Sequence, residues 1–342
     1  YTIAIEIEQL NRWGLIYYKK DKITDINVAL KKVDECLHRS IKDRLLSSDL
    51  EVGAFLSGGI DSSLIVAIAS GYVDKLKTFT VKFEDGYDES GLAKLTAKKY
   101  KTDHTEIQLS MNLKDDVEEI LQNYGEPFMD SSAIPSYYIS REAKKYVTVV
   151  LNGDGADELF AGYNFLINKE EEELEKEIKR ICSIMHFPTQ KIGKSLGIRI
   201  ESPFLRNSVV ELAKSIPANL KVKEEKGERY GKWILRKTFE EFIPKRIAWR
   251  GKSPMQEGAG TSGLTDLFDS IIGEEKYVEK KLTVEKEDGV VIRSRESMHY
   301  YEIFKKAFGT PVDKDSENNC PYCKHTVEKS SKFCRMCGAF PI

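Results

Sequence analysis

Side chains suited to gripping a phosphate chain and a divalent cation gather in two short stretches. The first, "FLSGGIDSS" from Phe55 to Ser63, sets two glycines among hydroxyls and one carboxylate. Glycine lets the backbone approach phosphate oxygens and adopt φ > 0. Main-chain N–H groups and the positive end of a following helix then face the anion. Ser57, Ser62 and Ser63 can add hydroxyl donors, whereas Asp61 would repel bare phosphate and so implies a Mg²⁺ between them. The pattern is neither the lysine-ended phosphate loop nor the G-x-G-x-x-G fingerprint. Its plain alternative is a Gly-Gly turn whose Ser and Asp cap a helix. The second stretch, "VTVVLNGDGADELFAGY" from Val147 to Tyr163, ends another apolar run in a glycine-rich turn carrying Asp154, Asp157 and Glu158. Three carboxylates there are costly unless a cation or a proton neutralises them. Mg²⁺ bound with a phosphate leaving group meets that need. A solvated acidic loop, the alternative, fits poorly between apolar neighbours.

A third stretch lies at the C-terminus. "CPYCKHTVEKSSKFCRMCG" places Cys320 and Cys323 two residues apart, then Cys334 and Cys337 in the same spacing after ten residues. Four thiolates in such knuckles suit a tetrahedral, closed Zn²⁺ site. So short a segment has no core of its own, and the metal would supply most of its folding free energy. Two redox C-x-x-C pairs are the alternative. Lys324, Lys329, Lys332 and Arg335 make the segment basic, which suits RNA or a protein partner. Cys36 and Cys182 stand far apart, and isolated cysteines of this kind point to a reducing compartment, the cytoplasm.

These groups need elements to hold them. "EVGAFL" reads as a short apolar strand leading into a helix over "SSLIVAIAS"; "LKTFTVKF" and "YVTVVLNG" read as further strands flanked by helical segments. Strands alternating with helices predict a mostly parallel sheet covered on both faces. Ligands then gather beyond the carboxyl ends of its strands. Asn27–Leu46 predicts an amphipathic helix through Val28, Leu30, Val33, Leu37 and Ile41. The opening "YTIAIEIEQL" alternates like a half-buried strand, with "GLIYYKK" its partner. "KEEEELEKEIKR", residues 169–180, reads as a solvated helix. From Ile192 to Phe308 the pattern is mainly helical, and "GTPVDKDSENN", Gly309 to Asn319, reads as a linker.

Composition narrows the field. The chain has 342 residues, 41% hydrophobic and 32% charged, enough for a well-filled core. A net charge of −2 gives no bulk attraction to nucleic acid or an anionic membrane. No apolar run comes near the ~20 residues of a membrane span, and no signal-peptide pattern opens the chain.

Taken together, "FLSGGIDSS" and "LNGDGADELFAGY" resemble the synthetase domain of the asparagine synthetase family, an ATP pyrophosphatase of the PP-loop type. "GEPFMDSSAIPSYYIS", "GKSLGIRIESPFL", "WILRKTFEEFIP" and "AWRGKSPMQEGAG" occur with them in family order. The resemblance covers about Asn27 to Gly309. It divides the chain into an N-terminal strand segment (1–26), the synthetase-like domain (27–309), a linker (310–319) and a zinc ribbon (320–342). It implies an α/β fold like the adenine-nucleotide α-hydrolases, a parallel sheet flanked by helices with a helical C-terminal part. It also implies activation of a carboxylate as acyl-AMP with loss of pyrophosphate, then attack by ammonia or an amine. Carried over by position, Ser57, Gly58, Gly59, Asp61 and Ser62 would hold the pyrophosphate part of ATP. Leu56, Val81, Asn152 and Gly153 would contact adenosine and α-phosphate. Asp61 and Asp157 would ligate Mg²⁺, and Asp154 stands where the family has an acid linked to acyl-adenylate formation. Lys252 matches a lysine that neutralises charge building on the phosphates, and Lys232 is a further basic candidate.

The resemblance also frays. No glutaminase domain with a terminal cysteine is present in the sequence, so nitrogen would come from free ammonia, a separate glutaminase or an amine substrate. An upstream domain removed from the chain is a further alternative. Glu201 and Arg206 exchange the signs found in the family, which predicts an ion pair with its partners reversed. Gln190 and Lys191 replace the family's Asp-Arg just upstream. If that region orients the acceptor carboxylate, an acceptor other than aspartate is open; if not, the exchange is structural. Some PP-loop enzymes that thiolate transfer RNA also carry zinc ribbons, which makes an RNA-modifying enzyme the rival reading.

Overall fold

A computed structural model describes residues 22–46, 51–83, 90–109, 113–125, 132–252, 272–311 and 318–322, with 325–327, 334, 339 and 342. The expected N-terminal strand pair, most of the linker, and Cys323 and Cys337 lie outside the described residues. The chain enters with α1 (Ile26–Leu46), β1 (Val52–Phe55), α2 (Ile60–Ala69), β2 (Lys77–Phe83), α3 (Ser90–Tyr100) and β3 (Asp103–Leu109). There follow α4 (Leu113–Tyr124), α5 (Ala133–Ala143), β4 (Val149–Leu151), α6 (Ala156–Phe160), α7 (Glu171–Ser183), α8 (Pro188–Leu196) and β5 (Arg199–Glu201). Helices α9 (Asn207–Ser215) and α10 (Ala218–Lys221) lead to the hairpin β6 (Lys223–Glu225) and β7 (Glu228–Tyr230). Helices α11 (Trp233–Phe239), α12 (Lys245–Ala248), α13 (Glu274–Glu287) and α14 (Arg295–Phe308) complete the domain.

Among the described residues, five parallel strands form one sheet in the order β3-β2-β1-β4-β5. The parallel sheet flanked by helices agrees with the sequence expectation. The order reverses between β1 and β4, so the carboxyl ends of these two strands open the crevice where such sheets bind ligands. Both glycine-rich turns leave from that point, with Val52 beside Val149 and Ala54 beside Leu151. Buried β4, "VVL", is apolar throughout because both faces are covered. Strand β3, "DHTEIQL", went unread because its polar character suits an edge; β5 and the β6–β7 hairpin are too short and charged to signal themselves.

Each face of the sheet has its own core. One is built from α1, α2, α3, α6, α7 and α9–α12. The other gathers α4, α5, α8 and α14 over Phe79, Val81 and Val150. Beyond its polar first turn, helix α2 is apolar on all sides, with eight of its ten residues buried, because it is enclosed between the sheet, α1 and α3. Helix α1 buries Ala29, Val33, Leu37, Ile41 and Leu45 at a spacing of four. Val28, expected on that stripe, is 42% exposed: the buried face is turned by one residue, and Ala29 takes its place. Glu201 and Arg206 do not pair with each other. Glu201 meets Arg44 at 2.9 Å and Arg199 at 3.3 Å, while Arg206 meets Asp43 at 2.5 Å. Adjacent residues of α1 thus supply both partners, and with Ser40 Oγ on the Pro203 carbonyl at 2.8 Å they fasten α1 to the β5 edge. These two ion pairs act as a clamp between α1 and the β5 edge.

A third apolar cluster lies beyond the sheet. Tyr301 and Met298 of α14 join Ile272, Val290, Ile292, Cys320 and Cys334. Neighbouring Tyr300 faces the second core instead, so α14 is shared between domain and tail.

Candidate active site

The crevice is a cleft of about 530 Å³, lined by the turns after β1 and β4, the start of α8, and segments around Lys232 and Lys252. All thirteen side chains or backbone positions singled out for ATP, Mg²⁺ and catalysis line it: Leu56, Ser57, Gly58, Gly59, Asp61, Ser62, Val81, Asn152, Gly153, Asp154, Asp157, Lys232 and Lys252.

The first turn is organised by hydroxyls. Ser57 N–H donates to Ser62 Oγ at 3.0 Å, the two hydroxyls share a 2.9 Å bond, and Gly59 N–H donates to Ser57 Oγ at 3.2 Å. The loop is therefore fixed before any ligand arrives, with the start of α2 opening into the cleft. Ser63 departs from expectation. It is fully buried, bonds Thr96 Oγ1 at 3.0 Å and faces away from the cleft.

The second turn is organised by charge. Gly155, at φ 94°, adopts a left-handed backbone that starts α6 and aims Asp157 and Glu158 inward. Lys232 crosses from the far side and puts its ammonium 2.5 Å from Asp61 Oδ2 and 2.7 Å from Asp157 Oδ1. Gly162 permits this crossing: a Cβ there would stand 1.9 Å from Asp157 Oδ1 and 2.1 Å from Lys232 Cε. Lys252 meets Asp157 Oδ2 at 2.8 Å and lies 4.0 Å over the Tyr163 ring, a cation–π contact. Burial works against the charge on Lys232, yet Asp157 and Asp61 hold its pKa above the ordinary range. Burial likewise opposes ionisation of Asp157, but Lys232 and Lys252 outweigh it and keep this carboxyl below its usual value. For Asp61, burial pushes upward, Lys232 pulls back, and the Asp157 charge adds to a net rise.

Two neighbours are handled differently. Burial and the Asp157 charge push Glu158 up while the Tyr163 hydroxyl donates to its Oε1. Asp154, on the cleft wall, is pushed up to about 7, chiefly by burial and then by nearby Glu158 and Asp157, with Asn152 and Thr189 bonding the anion in partial compensation. Asn152 Nδ2 donates to Asp154 Oδ2 at 2.6 Å.

Asp61 Oδ1 and Asp157 Oδ1 are buried and accept no hydrogen bond from any described residue, although the Lys232 ammonium lies 2.7 Å from the latter. Orphaned carboxylate oxygens at the mouth of a phosphate-type loop are the donor set a Mg²⁺ prefers, the rest of its shell coming from water and phosphate. Among the described residues no group of three or more His, Cys, Asp or Glu is placed to hold a metal.

Sequence reasoning gave no role to Tyr163, Arg236 or Thr189, which also line the cleft. Tyr163 ends the quoted "LNGDGADELFAGY" and Arg236 lies in "WILRKTF", so the motifs marked their positions. Arg236 is spent on structure: it donates to the Gly231 carbonyl at 2.8 Å and the Ala248 carbonyl at 2.6 Å, tying the two lysine-bearing segments together.

The family model described as asparagine synthase matches residues 32–194 and 172–319. A Methanocaldococcus jannaschii relative is 32% identical over 241 residues, 68% of this chain and 46% of that one. Asparagine synthetase (glutamine-hydrolyzing) 1 of Bacillus subtilis is 41% identical over 143 residues, 41% of this chain and 22% of that one. The chain thus spans about half the length, or less, of the curated relatives it matches. Among solved structures, the NMN synthetase of Francisella tularensis aligns with a TM-score of 0.38 at 14% identity, covering 81% of this chain and 93% of that one.

Proposed function

Because the chain belongs to the asparagine synthase family, we propose that it is an ATP- and Mg²⁺-dependent ligase that forms an amide through an acyl-AMP. A carboxylate acceptor, aspartate or another, attacks the α-phosphorus of ATP and pyrophosphate leaves. Ammonia or an amine then attacks the acyl carbon, the C–N bond forms, the C–O bond to AMP breaks, and the nitrogen gives up a proton. The observation that carries this reading is the meeting of two glycine-bearing strand ends, with Asp61 and Asp157 facing one shared cation position.

Each residue has a stated task. The turn from Ser57 to Ser62 and the start of α2 cradle the β- and γ-phosphates. Leu56, Val81, Asn152 and Gly153 line the adenosine and α-phosphate end. Asp61 and Asp157 would hold Mg²⁺, which when bound neutralises charge on the departing pyrophosphate. Lys252, already beside Asp157, stabilises the charge growing on the α,β-bridging oxygen, an interaction stronger in the transition state than before it. Lys232 fixes the two carboxylates until the nucleotide arrives. Asp154, whose carboxyl burial pushes up to about 7, is assigned to the acyl-adenylate step and, once ionised, would take the proton from the attacking nitrogen. The nitrogen donor is ammonia, free or released by a glutaminase, or an amine substrate.

The tail is proposed as a Zn²⁺ ribbon. Cys320 N–H donates to the His325 carbonyl at 2.8 Å and Cys334 N–H to the Ala339 carbonyl at 3.0 Å. Each pair's first cysteine thus folds back on the fifth residue after it, and both are fully buried in one cluster. Elemental analysis should find one zinc per chain; its absence from protein made with zinc supplied would remove the ribbon.

The deciding experiment for the function is a pyrophosphate-release screen over aspartate and other carboxylates, with ammonium or glutamine supplied. AMP and pyrophosphate in equal amounts support the ligase. ADP with phosphate, or no nucleotide turnover with any acceptor, would sink it.

A further inference from the structure

Behind Asp154 runs a hydrogen-bonded chain. Gln190 Nε2 donates to Ser202 Oγ at 3.1 Å, Ser202 Oγ donates to Asn152 Oδ1 at 2.5 Å, and Asn152 Nδ2 donates to Asp154 Oδ2 at 2.6 Å. Ser202 and Asn152 are buried, at 4% and 3% exposure, and Asn152 N–H is bound to the Glu201 carbonyl at 3.0 Å. The direction of the chain follows from valence. An amide N–H₂ can only donate, so Gln190 occupies a lone pair of Ser202 and leaves the hydroxyl proton for Asn152 Oδ1. With Oδ1 so engaged, the Asn152 amide has one orientation, and its N–H₂ group must face the carboxylate.

We infer that Ser202, backed by Gln190, is a positioning residue: it sets the Asn152 amide so that Asp154 receives a donor and is held at one rotamer in the cleft. This rests on the ligase reading for its kinetic consequence, though the geometry stands apart from it. Neither residue lines the cleft itself, and the relay joins the end of β5 and the start of α8 to the end of β4. The other groups facing Asp154 are Glu158 and Asp157, whose charges oppose its ionisation, and Thr189, whose hydroxyl bonds it. Tyr163 is engaged with Glu158.

Removing the Ser202 hydroxyl frees the amide to turn its oxygen toward Asp154. The anion then loses a charge-assisted donor and meets a lone pair, which favours the protonated acid. The test is difference infrared titration of the protonated-carboxyl stretch, assigned to Asp154 by its loss in Asp154→Asn. Pyrophosphate release from Mg-ATP, L-aspartate and ammonium is followed against pH in parallel. In Ser202→Ala the infrared midpoint should rise by about one pH unit and turnover at pH 7 should fall about tenfold. Ser202→Thr, which keeps the hydroxyl, should restore both, and Gln190→Leu should shift the midpoint the same way by less. An unmoved midpoint in Ser202→Ala, or a shift that Ser202→Thr leaves unrepaired, overturns the relay. If Ser202→Ala does not fold, Gln190→Leu decides, because its side chain is only half-buried. If the wild type releases no pyrophosphate with any acceptor, the ligase reading falls while the infrared midpoint still judges the relay.

Discussion

The turns after β1 and β4 begin alike, as glycine-bearing exits from adjacent parallel strands, and solve opposite problems. The first holds its shape with serine hydroxyls bonded to one another and to backbone, and carries a single carboxylate. The second carries three carboxylates within five residues, each met by a different partner. Asp157 has two lysines, Glu158 a tyrosine hydroxyl, and Asp154 an amide fixed from behind. A lysine partner keeps an acid ionised across the physiological range, whereas an amide donor in a buried setting leaves it near its titration point. The first turn is thus a preformed cradle and the second a graded set of acids, and Lys232 ties one to the other through Asp61 and Asp157.

The largest expected effect comes from breaking that meeting point. Lys232→Met leaves Asp61 and Asp157 buried against each other with one cation gone. Loss of one partner from a buried pair typically costs about 3–5 kcal/mol. The unfolding midpoint in denaturant should fall accordingly, and millimolar Mg²⁺ should recover part of the loss. A midpoint equal to wild type, with no response to Mg²⁺, would show that the two acids need no shared cation.

Next is Lys252→Ala, which strips Asp157 of its second lysine while Lys232 remains. Stability should change little, because Lys252 is partly exposed. Pyrophosphate release should drop about 10²–10³-fold, as when one preorganised charge is lost from a transition state. Unchanged turnover would take Lys252 out of the mechanism and leave the second turn to Lys232 alone.

Asp154→Asn probes the third device. The folded pKa of about 7 lies above the ordinary 3.8, so ionised Asp154 costs the folded state free energy. The stability belonging to this group is fully present below about pH 4 and is lost as pH rises through 7. The Asn variant should therefore equal wild type in stability at pH 4 and exceed it at pH 8. Allowing for solvent in the cleft, the gain is roughly 1–3 kcal/mol. Equal urea midpoints at pH 8 would mean that burial does not penalise this acid.

Much of this arrangement was legible in the sequence because it depends on strand order and glycine. Apolar runs ending in "SGGIDSS" and "NGDGADEL" announced two strand ends, and the parallel α/β pattern placed them on one side of the sheet. What stayed hidden depends on contacts between distant residues. Nothing in the spacing of Glu201 and Arg206 reveals that Asp43 and Arg44 of α1 are their partners. Lys232, 71 and 75 residues beyond Ala161 and Asp157 in number order alone, could be named only as a basic candidate; that it bridges two aspartates requires Gly162 to make room. Ser202 gave no signal beyond being polar at a strand end, since its role exists only through Asn152. Strand β3 hid because an edge need not be apolar.

The smallest predicted effects separate two serines of the first turn that the sequence treats alike. Ser62 Oγ accepts from Ser57 N–H and shares a bond with Ser57 Oγ, so it holds the cradle. Ser63, its neighbour, is turned by one helix position toward α3 and spends its hydroxyl on Thr96. Ser63→Ala removes one buried neutral hydrogen bond and should cost about 1 kcal/mol of stability, with ATP affinity unchanged. Ser62→Ala should lower stability by a similar amount but also weaken Mg-ATP binding, because the loop loses the bond that fixes its N–H groups before the phosphate arrives. Calorimetric titration of Mg-ATP against both variants separates the two roles. Equal affinities for the two variants would mean that hydroxyl bonding within the first turn does not preorganise it, and the contrast between a preformed cradle and a charge-balanced acid loop would collapse.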